Sequence, residues 1–366
     1  MKPTACDECL RRTALIAALA PRLDIEWRRR SAPSGVLSLP DEALVALDPS
    51  GRVARAHAGF SPDGARERIA AARLTAVCRC AAGYPERLGE LADPPAVLHV
   101  AGDPGALEHA ACVAIVGARR GSGYGLEVSR SLGRGLTAAG VPVVSGMAMG
   151  VDSAAHVGVL ERATTAAAAP VAVLAGGADV AYPPSRRRLH AQLVERGCVV
   201  SELPPGFTAY RWCFVARNRL IAGLAALTVV VEATERSGSL TTADFAQQLG
   251  RPVGAVPGPV TSRFSAGTNM LLASGACVVR DTRDVLDQLL GPSAPPPEEL
   301  PPPVPIEPRL RRLLDAFERG HGSLAELTSD PEATRQVLQD LTDLELRGLV
   351  RREFGGRYVR ALEERR

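Results

Sequence analysis

The chain has 366 residues, 46% of them hydrophobic, 23% charged and only 4% aromatic, and its formal net charge is +3. Such values suit a soluble globular protein of two or three domains, and bulk charge this small excludes reading a nucleic-acid binder from composition alone. The longest apolar stretch, AAAAPVAVLAGGADVAY, is broken by proline and glycines, and the N-terminus lacks the apolar core of a signal peptide, so no membrane span and a cytoplasmic location are expected.

Residues 1–82 contain two helical pieces, CLRRTALIAALAPRL and DGARERIAAARL, and are expected to form a small helical domain. Without a secretion signal, the eight cysteines do not suggest a disulfide framework. Cys6 and Cys9 form CDEC, and Cys78 and Cys80 form CRC. Four thiolates can hold a structural zinc ion; the alternative is four ordinary thiols, and no other cofactor is expected.

From about residue 110 to 290, short apolar runs near 113–117, 142–145, 171–175, 198–201, 228–232, 253–256 and 277–280 alternate with helical stretches. That alternation predicts an α/β fold with a Rossmann-like parallel sheet over 83–290, helices on both faces, and ligands bound outside the carboxyl ends of the strands. The first run leads into VAIVGARRGSGYG, a strand, a glycine-rich turn and a helix start. Such a turn offers free N–H groups and a positive dipole end to an anion. A Walker loop is impossible there because the only lysine is Lys2, and the dinucleotide pattern G-x-G-x-x-G is not met from Gly117. Arg119 and Arg120 favour a polyanion over a bland turn. Between residues 111 and 223 twelve arginines face six acids, so the positive field is local.

The candidate binding residues fall on the turns after the strands: Gly117, Arg119, Arg120, Gly121, Ser122 and Gly123; Gly146; Gly176 and Gly177 with Arg186, Arg187 and Arg188; Arg217, Asn218 and Arg219; and Ser237 and Gly238. Several have a plainer reading. Asp152 and His156, four apart, suit a helix-start aspartate and a packed histidine better than acid/base chemistry. Arg217 to Arg219 can equally form an ion-pair network, and Ser237 to Ser239 a helix cap.

Residues 291–308, GPSAPPPEELPPPVPIEP, predict a stiff extended linker. In 309–366, a helix, a second helix opened by the capping box Ser323 and Glu326, a third from Pro331 to before Gly348, and a hairpin turning on Gly355 and Gly356 predict a winged helix. From Glu307 onward twelve arginines balance twelve acids, which favours protein contact over DNA contact.

Several of these turns resemble the DNA-processing protein A family (DprA, also called Smf). The resemblance runs from about residue 83 to the C-terminus, through GYPERLGELADPPAVLHVAGD, VAIVGARRGSGYG and the S-G-x-A-x-G-x-D-x-x-A-H pattern at Ser145, Gly146, Ala148, Gly150, Asp152, Ala155 and His156. VLAGGADVAYPPSRRRL, RNRLIAGLA, RSGSLTTA, VPGPV and GTNMLLASGA follow in family order. It implies a non-catalytic, dimer-forming, single-stranded-DNA-binding protein that protects incoming DNA and helps load the RecA recombinase in natural transformation. In that reading Arg119 is the family's loop arginine, and Gly176, Gly177 and Asp179 its G-G-x-D turn. Pro184 and Arg186 depart from the family's basic residue and asparagine, and Val215 stands where a proline is usual before RNR. The rival class is a Rossmann-type nucleotide hydrolase similar to phosphoribohydrolases of nucleoside monophosphates. Its P-G-G-x-G-T-x-x-E pattern is not met by AGGADVAYPP.

Overall fold

The computed structural model describes residues 5–29, 35–109, 111–162, 168–292, 307–318, 323–328, 330–346, 349–352, 356 and 358–360. Most of the proline-rich linker expected at 291–308, and Gly355 of the expected hairpin turn, lie outside the described residues.

Nine strands form one sheet: β1 (Thr75–Cys78), β2 (Val97–Gly102), β3 (Val113–Val116), β4 (Val143–Ser145), β5 (Val171–Val173), β6 (Cys198–Ser201), β7 (Leu227–Val230), β8 (Val253–Ala255) and β9 (Cys277–Val278). Their spatial order is β1-β2-β6-β5-β4-β3-β7-β8-β9. The run from β6 to β9 is parallel, with Val113 opposite Val143 on one side and Leu227 on the other. Each parallel strand from β3 to β8 is buried along its length, as interior strands covered on both faces must be. All seven strands expected between 110 and 290 are present. The sheet is nevertheless mixed, because β2 pairs antiparallel with β6 and β1 antiparallel with β2. Thus the segment 1–82, read as helical from its pattern, contributes a strand to the sheet. The β-branched and apolar stretch TAVC is only four residues long, too short for a period to show.

The helices of the core are α6 (Gly123–Ala138), α7 (Val151–Leu160), α8 (Arg187–Arg196), α9 (Arg211–Leu224), α10 (Gly238–Gln248), α11 (Ala266–Ala273) and α12 (Thr282–Leu290). Alternation along β3 explains their placement. Val113 and Ile115 pack with Leu132 of α6, Val159 of α7 and Val285 of α12, while Ala114 and Val116 belong with Leu220 of α9, Ala243 of α10 and Leu271 of α11. Helices α6 and α7 cross closely enough that a Cβ on Gly158 would lie 2.0 Å from the Arg130 carbonyl oxygen. Strand β3 lies at the centre. The chain lays β4, β5 and β6 to one side of it and β7, β8 and β9 to the other, so the order reverses between β3 and β7. In open α/β sheets a crevice forms at that point.

Ahead of the sheet come α1 (Asp7–Arg29), α2 (Asp41–Ala46), α3 (Arg52–Ala58) and α4 (Pro62–Ala71), and α5 (Glu86–Gly89) sits between the first two strands. One stripe of α1, with Leu15, Leu19, Ala20 and Leu23, packs against Leu44, Val53 and, on α9, Trp212 and Ala216. Burying each of those leucines contributes about 1.5–3 kcal/mol. The same helix fixes the start of α9: the Arg211 N–H donates to Asp24 Oδ1 at 3.0 Å and Trp212 Nε1 to the Ala20 oxygen at 3.0 Å.

The C-terminal unit has α13 (Pro308–Glu318), α14 (Leu324–Leu327) and α15 (Pro331–Leu346), then the antiparallel pair β10 (Val350–Arg352) and β11 (Tyr358–Arg360). Its own core includes Leu310, Leu314, Leu341, Leu344 and Val350. The Ser323–Glu326 capping box is formed as expected. Among the described residues no helix is long and apolar enough to cross a membrane.

Candidate functional site

The glycine-rich turn after β3 already holds an anion, and it is internal. Glu232, two residues beyond β7 and buried, places its carboxylate in the loop: the Ser122 N–H donates to Oε2 at 2.7 Å and the Ser122 hydroxyl to Oε1 at 2.5 Å. A Cβ on Gly125 would lie 2.3 Å from that carboxylate, and one on Gly121 3.1 Å from it, so these glycines make room for Glu232. Gly117 is confined by Val151 and by the Glu232 carbonyl, which accepts the Ala118 N–H at 2.7 Å. Of the backbone expected to cradle phosphate at Gly121, Ser122 and Gly123, the Ser122 N–H is thus taken by the protein's own carboxylate. Periodicity gave no warning, since the partner lies 110 residues away.

Ligand space lies beside that loop. A cavity of about 560 Å³ opens at the β3/β7 crevice, lined among others by Gly117, Arg119, Arg120, Asp152, Phe214, Arg217, Asn218, Ser237, Gly238 and Arg263. Arg217, on α9, is 5% exposed; its Nη1 donates to the Val173 oxygen at 3.0 Å and its Nε has no partner among the described residues. The guanidinium presses on the turn after β4, where a Cβ on Gly146 would sit 1.6 Å from Nη1. Only glycine fits there, which is the reason for Gly146. Burial pushes the Arg217 pKa down to about 10; Asp152 opposes that shift and Arg119 adds to it. The Asp152 carboxyl is raised by burial, with Arg217, the Ala148 N–H, Arg119 and the Gly117 N–H all favouring its charge. Arg217 stays protonated at neutral pH.

The first turn of α10 forms another wall. Ser237 caps it, and nothing lies within 4 Å of where a Gly238 Cβ would stand. The Asn218 amide donates to the Gly238 oxygen at 3.0 Å and to Thr241 Oγ1 at 2.8 Å, which anchors the helix start. The cavity thus combines the positive end of an eleven-residue helix with Arg119, Arg217 and Arg263. At its rim the exposed Arg119 guanidinium lies 5.0 Å from the Phe214 ring, and Tyr182 packs against that ring at 5.3 Å with a tilt of 51°. Phe214 carries no motif, and pattern reading passed it over; its place one turn before Arg217 and Asn218 was the available signal.

Other expected residues lie apart from this cavity. Gly176 and Gly177 are buried beneath the protein's own backbone: the Gly177 N–H donates to the Phe207 oxygen at 2.9 Å, and Asp179 accepts the Gly206 N–H at 2.9 Å. That turn holds a neighbouring loop and does not line the cavity. Arg219 is also removed from the ligand contacts. Its five donors go to Asp93 Oδ1 (2.9 Å) and oxygen (3.2 Å), Glu202 Oε1 (2.9 Å) and Oε2 (2.7 Å), and the Ala216 oxygen (3.0 Å). Arg186 ends a short 3-10 turn, and Arg187 and Arg188 are exposed at the start of α8; none of the three lines the cavity. His156 is fully buried, and burial lowers its pKa to about 4, with the Ser145 backbone opposing; it is a neutral packed ring. Cys6, Cys9, Cys78 and Cys80 come together with their Sγ atoms all within 4.8 Å of one another, and none lines the cavity.

A mostly parallel α/β sheet with an arginine-lined crevice at its switch point defines a Rossmann-type protein. Residues 75–290, more than half of the chain, match the family described as DNA recombination-mediator protein A, and the chain belongs to this DprA/Smf family. Over 195 residues it is 44% identical to a putative DNA processing protein DprA of Mycobacterium tuberculosis, covering 53% of this chain and 49% of that one, so it spans about half of that relative's length. Against protein Smf of Escherichia coli the identity is 35% over 288 residues, covering 76% of this chain and 75% of the relative. The crystal structure of DprA from Streptococcus pneumoniae superposes with a TM-score of 0.63 at 28% identity, over 79% of this chain and 99% of that one. A Helicobacter pylori DprA structure, described for its single-stranded DNA binding mode, superposes with a TM-score of 0.54 at 28% identity, over 60% of this chain and 96% of that one.

Proposed function

We propose that the chain is a non-catalytic single-stranded-DNA-binding protein of DNA processing in transformation, which takes a phosphate into the β3/β7 cavity. The observation that carries this is Arg217: a buried, charged guanidinium lining a space shared with Arg119 and the α10 N-terminus. Arg120 and Arg263 extend the positive field along the rim, and bases stack on Phe214 and Tyr182. The exposed run Arg187 and Arg188 guides the strand onward from Tyr182. Affinity is then mostly electrostatic and indifferent to sequence. Loading of a RecA recombinase, homodimer formation and a cytoplasmic location belong to the same proposal by family membership, and the C-terminal unit is read as a winged helix for protein contact. Fluorescence anisotropy with single- and double-stranded oligonucleotides, titrated with salt, tests the core of it. Single strands bind more tightly, with a linear log–log salt dependence; preference for duplex overturns the assignment.

A nucleotide hydrolase is the second reading, and one observation favours it: Asp152 is buried in the cavity with a raised carboxyl pKa beside a cationic arginine. Its backbone hydrogen bonds in the first turn of α7 account for it structurally. Release of base or phosphate from nucleoside monophosphates that vanishes in Asp152→Asn would replace the binder with the enzyme.

A further inference from the structure

We propose that Cys6, Cys9, Cys78 and Cys80 bind one structural zinc ion that staples the first turn of α1 to the end of β1. Two pairs far apart in sequence converge. Cys6 precedes α1 and Cys9 lies in its first turn, where the Leu10 N–H donates to the Cys6 oxygen at 3.1 Å. Cys78 ends β1 and Cys80 follows in a tight turn closed by the Ala81 N–H on the Cys78 oxygen at 2.8 Å, so both sulfurs face α1. All four Sγ atoms lie within 4.8 Å of one another, and Cys9 and Cys80 are 3.7 Å apart. Zinc–thiolate bonds of about 2.3 Å in a tetrahedron place the sulfurs about 3.8 Å apart, so modest closure of the longer edges completes the site. The set contains no histidine or carboxylate, and a tetrathiolate selects zinc over magnesium or calcium.

The surroundings suit the metal. Cys9 and Cys78 sit in a buried apolar cluster with Ala5, Leu10, Ala65, Ile69, Ala76 and Ala96, while Cys6 is half-buried and Cys80 exposed. The net charge of −2 on a zinc tetrathiolate faces the positive end of the 23-residue α1. The Cys9 N–H points at the Cys6 sulfur, the hydrogen bond that steadies a thiolate ligand. The staple holds the helix whose Asp24 and Ala20 oxygen fix the start of α9, and with it Phe214 and Arg217. It is independent of what the cavity binds.

The test uses the full chain, expressed with zinc in the medium and purified without chelator. Elemental analysis is expected to give one zinc per chain, retained through gel filtration and lost, with a drop in Tm, on thiol-directed displacement in the presence of a chelator. Cys6→Ser combined with Cys9→Ser removes the metal, whereas Cys277→Ser keeps it. Should the double variant not fold, Cys80→Ser, at the exposed rim, loses zinc under mild chelation that leaves the parent loaded. Cobalt exchanged into the parent shows the intense visible bands of a tetrahedral tetrathiolate. Protein that carries no zinc and takes up none when offered it, with the four thiols freely alkylated or joined in disulfides, overturns the proposal.

Discussion

The Ser122 N–H and hydroxyl both donate to the Glu232 carboxylate, at 2.7 and 2.5 Å, and so tie the end of β7 into the turn that follows β3. The most phosphate-like loop of the chain is therefore a strut between the two strands that flank the crevice. Removing the carboxylate leaves the two half-buried donors of Ser122 without their partner. Glu232→Ala is expected to lower stability by about 2–4 kcal/mol, read by urea denaturation. Gly125→Ala, whose methyl would stand 2.3 Å from the same carboxylate, gives a similar loss. Wild-type stability in both variants would return the loop to the ligand.

Arg217 and Arg219 are two residues apart on α9, and the structure separates their roles. Arg219 balances Glu202 and Asp93 in the interior, so Arg219→Ala strands two carboxylates and costs about 3–5 kcal/mol. Arg217→Lys keeps the charge beside Asp152 but loses the planar guanidinium. It is expected to melt within a few degrees of the parent while single-strand affinity falls about tenfold, equivalent to one charge-assisted hydrogen bond. Equal affinities of parent and Arg217→Lys, measured by anisotropy, would remove Arg217 from the binding site.

Strand positions between 110 and 290 were legible in the sequence because buried parallel strands are short apolar runs punctuated by glycine, and β3 to β9 all fall on such runs. The mixed edge was not: β1 takes its place through pairing with β2, a tertiary relation without local period. The site was half legible. Arg119, Arg217, Asn218, Ser237 and Gly238 are brought to one cavity, as a basic site on the carboxyl side of the sheet required. The glycine turns misled because glycine marks close approach of something, and here the approaching groups are Glu232, Arg217 and the Phe207 carbonyl. Which atom fills a glycine's space is fixed by contacts 30 to 110 residues away, and sequence spacing does not carry it.

Two buried histidines set an acid limit on stability. Burial lowers His99 and His156 from the ordinary 6.5 to about 4, so the unfolded chain takes up protons first as pH falls. Their contribution is full above pH 6.5 and is lost between 6.5 and about 4. The raised carboxyls of Asp93 and Asp152 act in the opposite sense at the acid end. Stability should therefore fall by about 3 kcal/mol between pH 6.5 and 5, as read from urea midpoints. His156→Gln, if it folds, halves that slope. A flat profile over this range would mean that neither ring is held neutral by burial; half the slope would mean that one titrates normally.

The contacts of Phe214 with Arg119 and with the tilted Tyr182 ring allow charge and stacking to be told apart. Arg119→Ala removes one cation from the rim, so the log–log salt slope of single-strand binding should flatten by about 0.7. Phe214→Ala removes a stacking face and disturbs Arg119 only through a cation–π interaction, so it should cost about 1–3 kcal/mol in affinity with a nearly unchanged slope. Replacing Arg186, Arg187 and Arg188 together by alanine tests whether the strand continues along the start of α8; each phosphate left without its arginine flattens the slope by a further increment of the same size. Arg119→Lys restores the slope but only part of the affinity, because an ammonium neither stacks as a plane on Phe214 nor forks a phosphate. Thermal melts establish that each variant is folded. If Arg119→Ala and Phe214→Ala are folded and bind single strands with the parent's affinity and slope, the strand does not cross this rim, and the β3/β7 cavity takes a different anion.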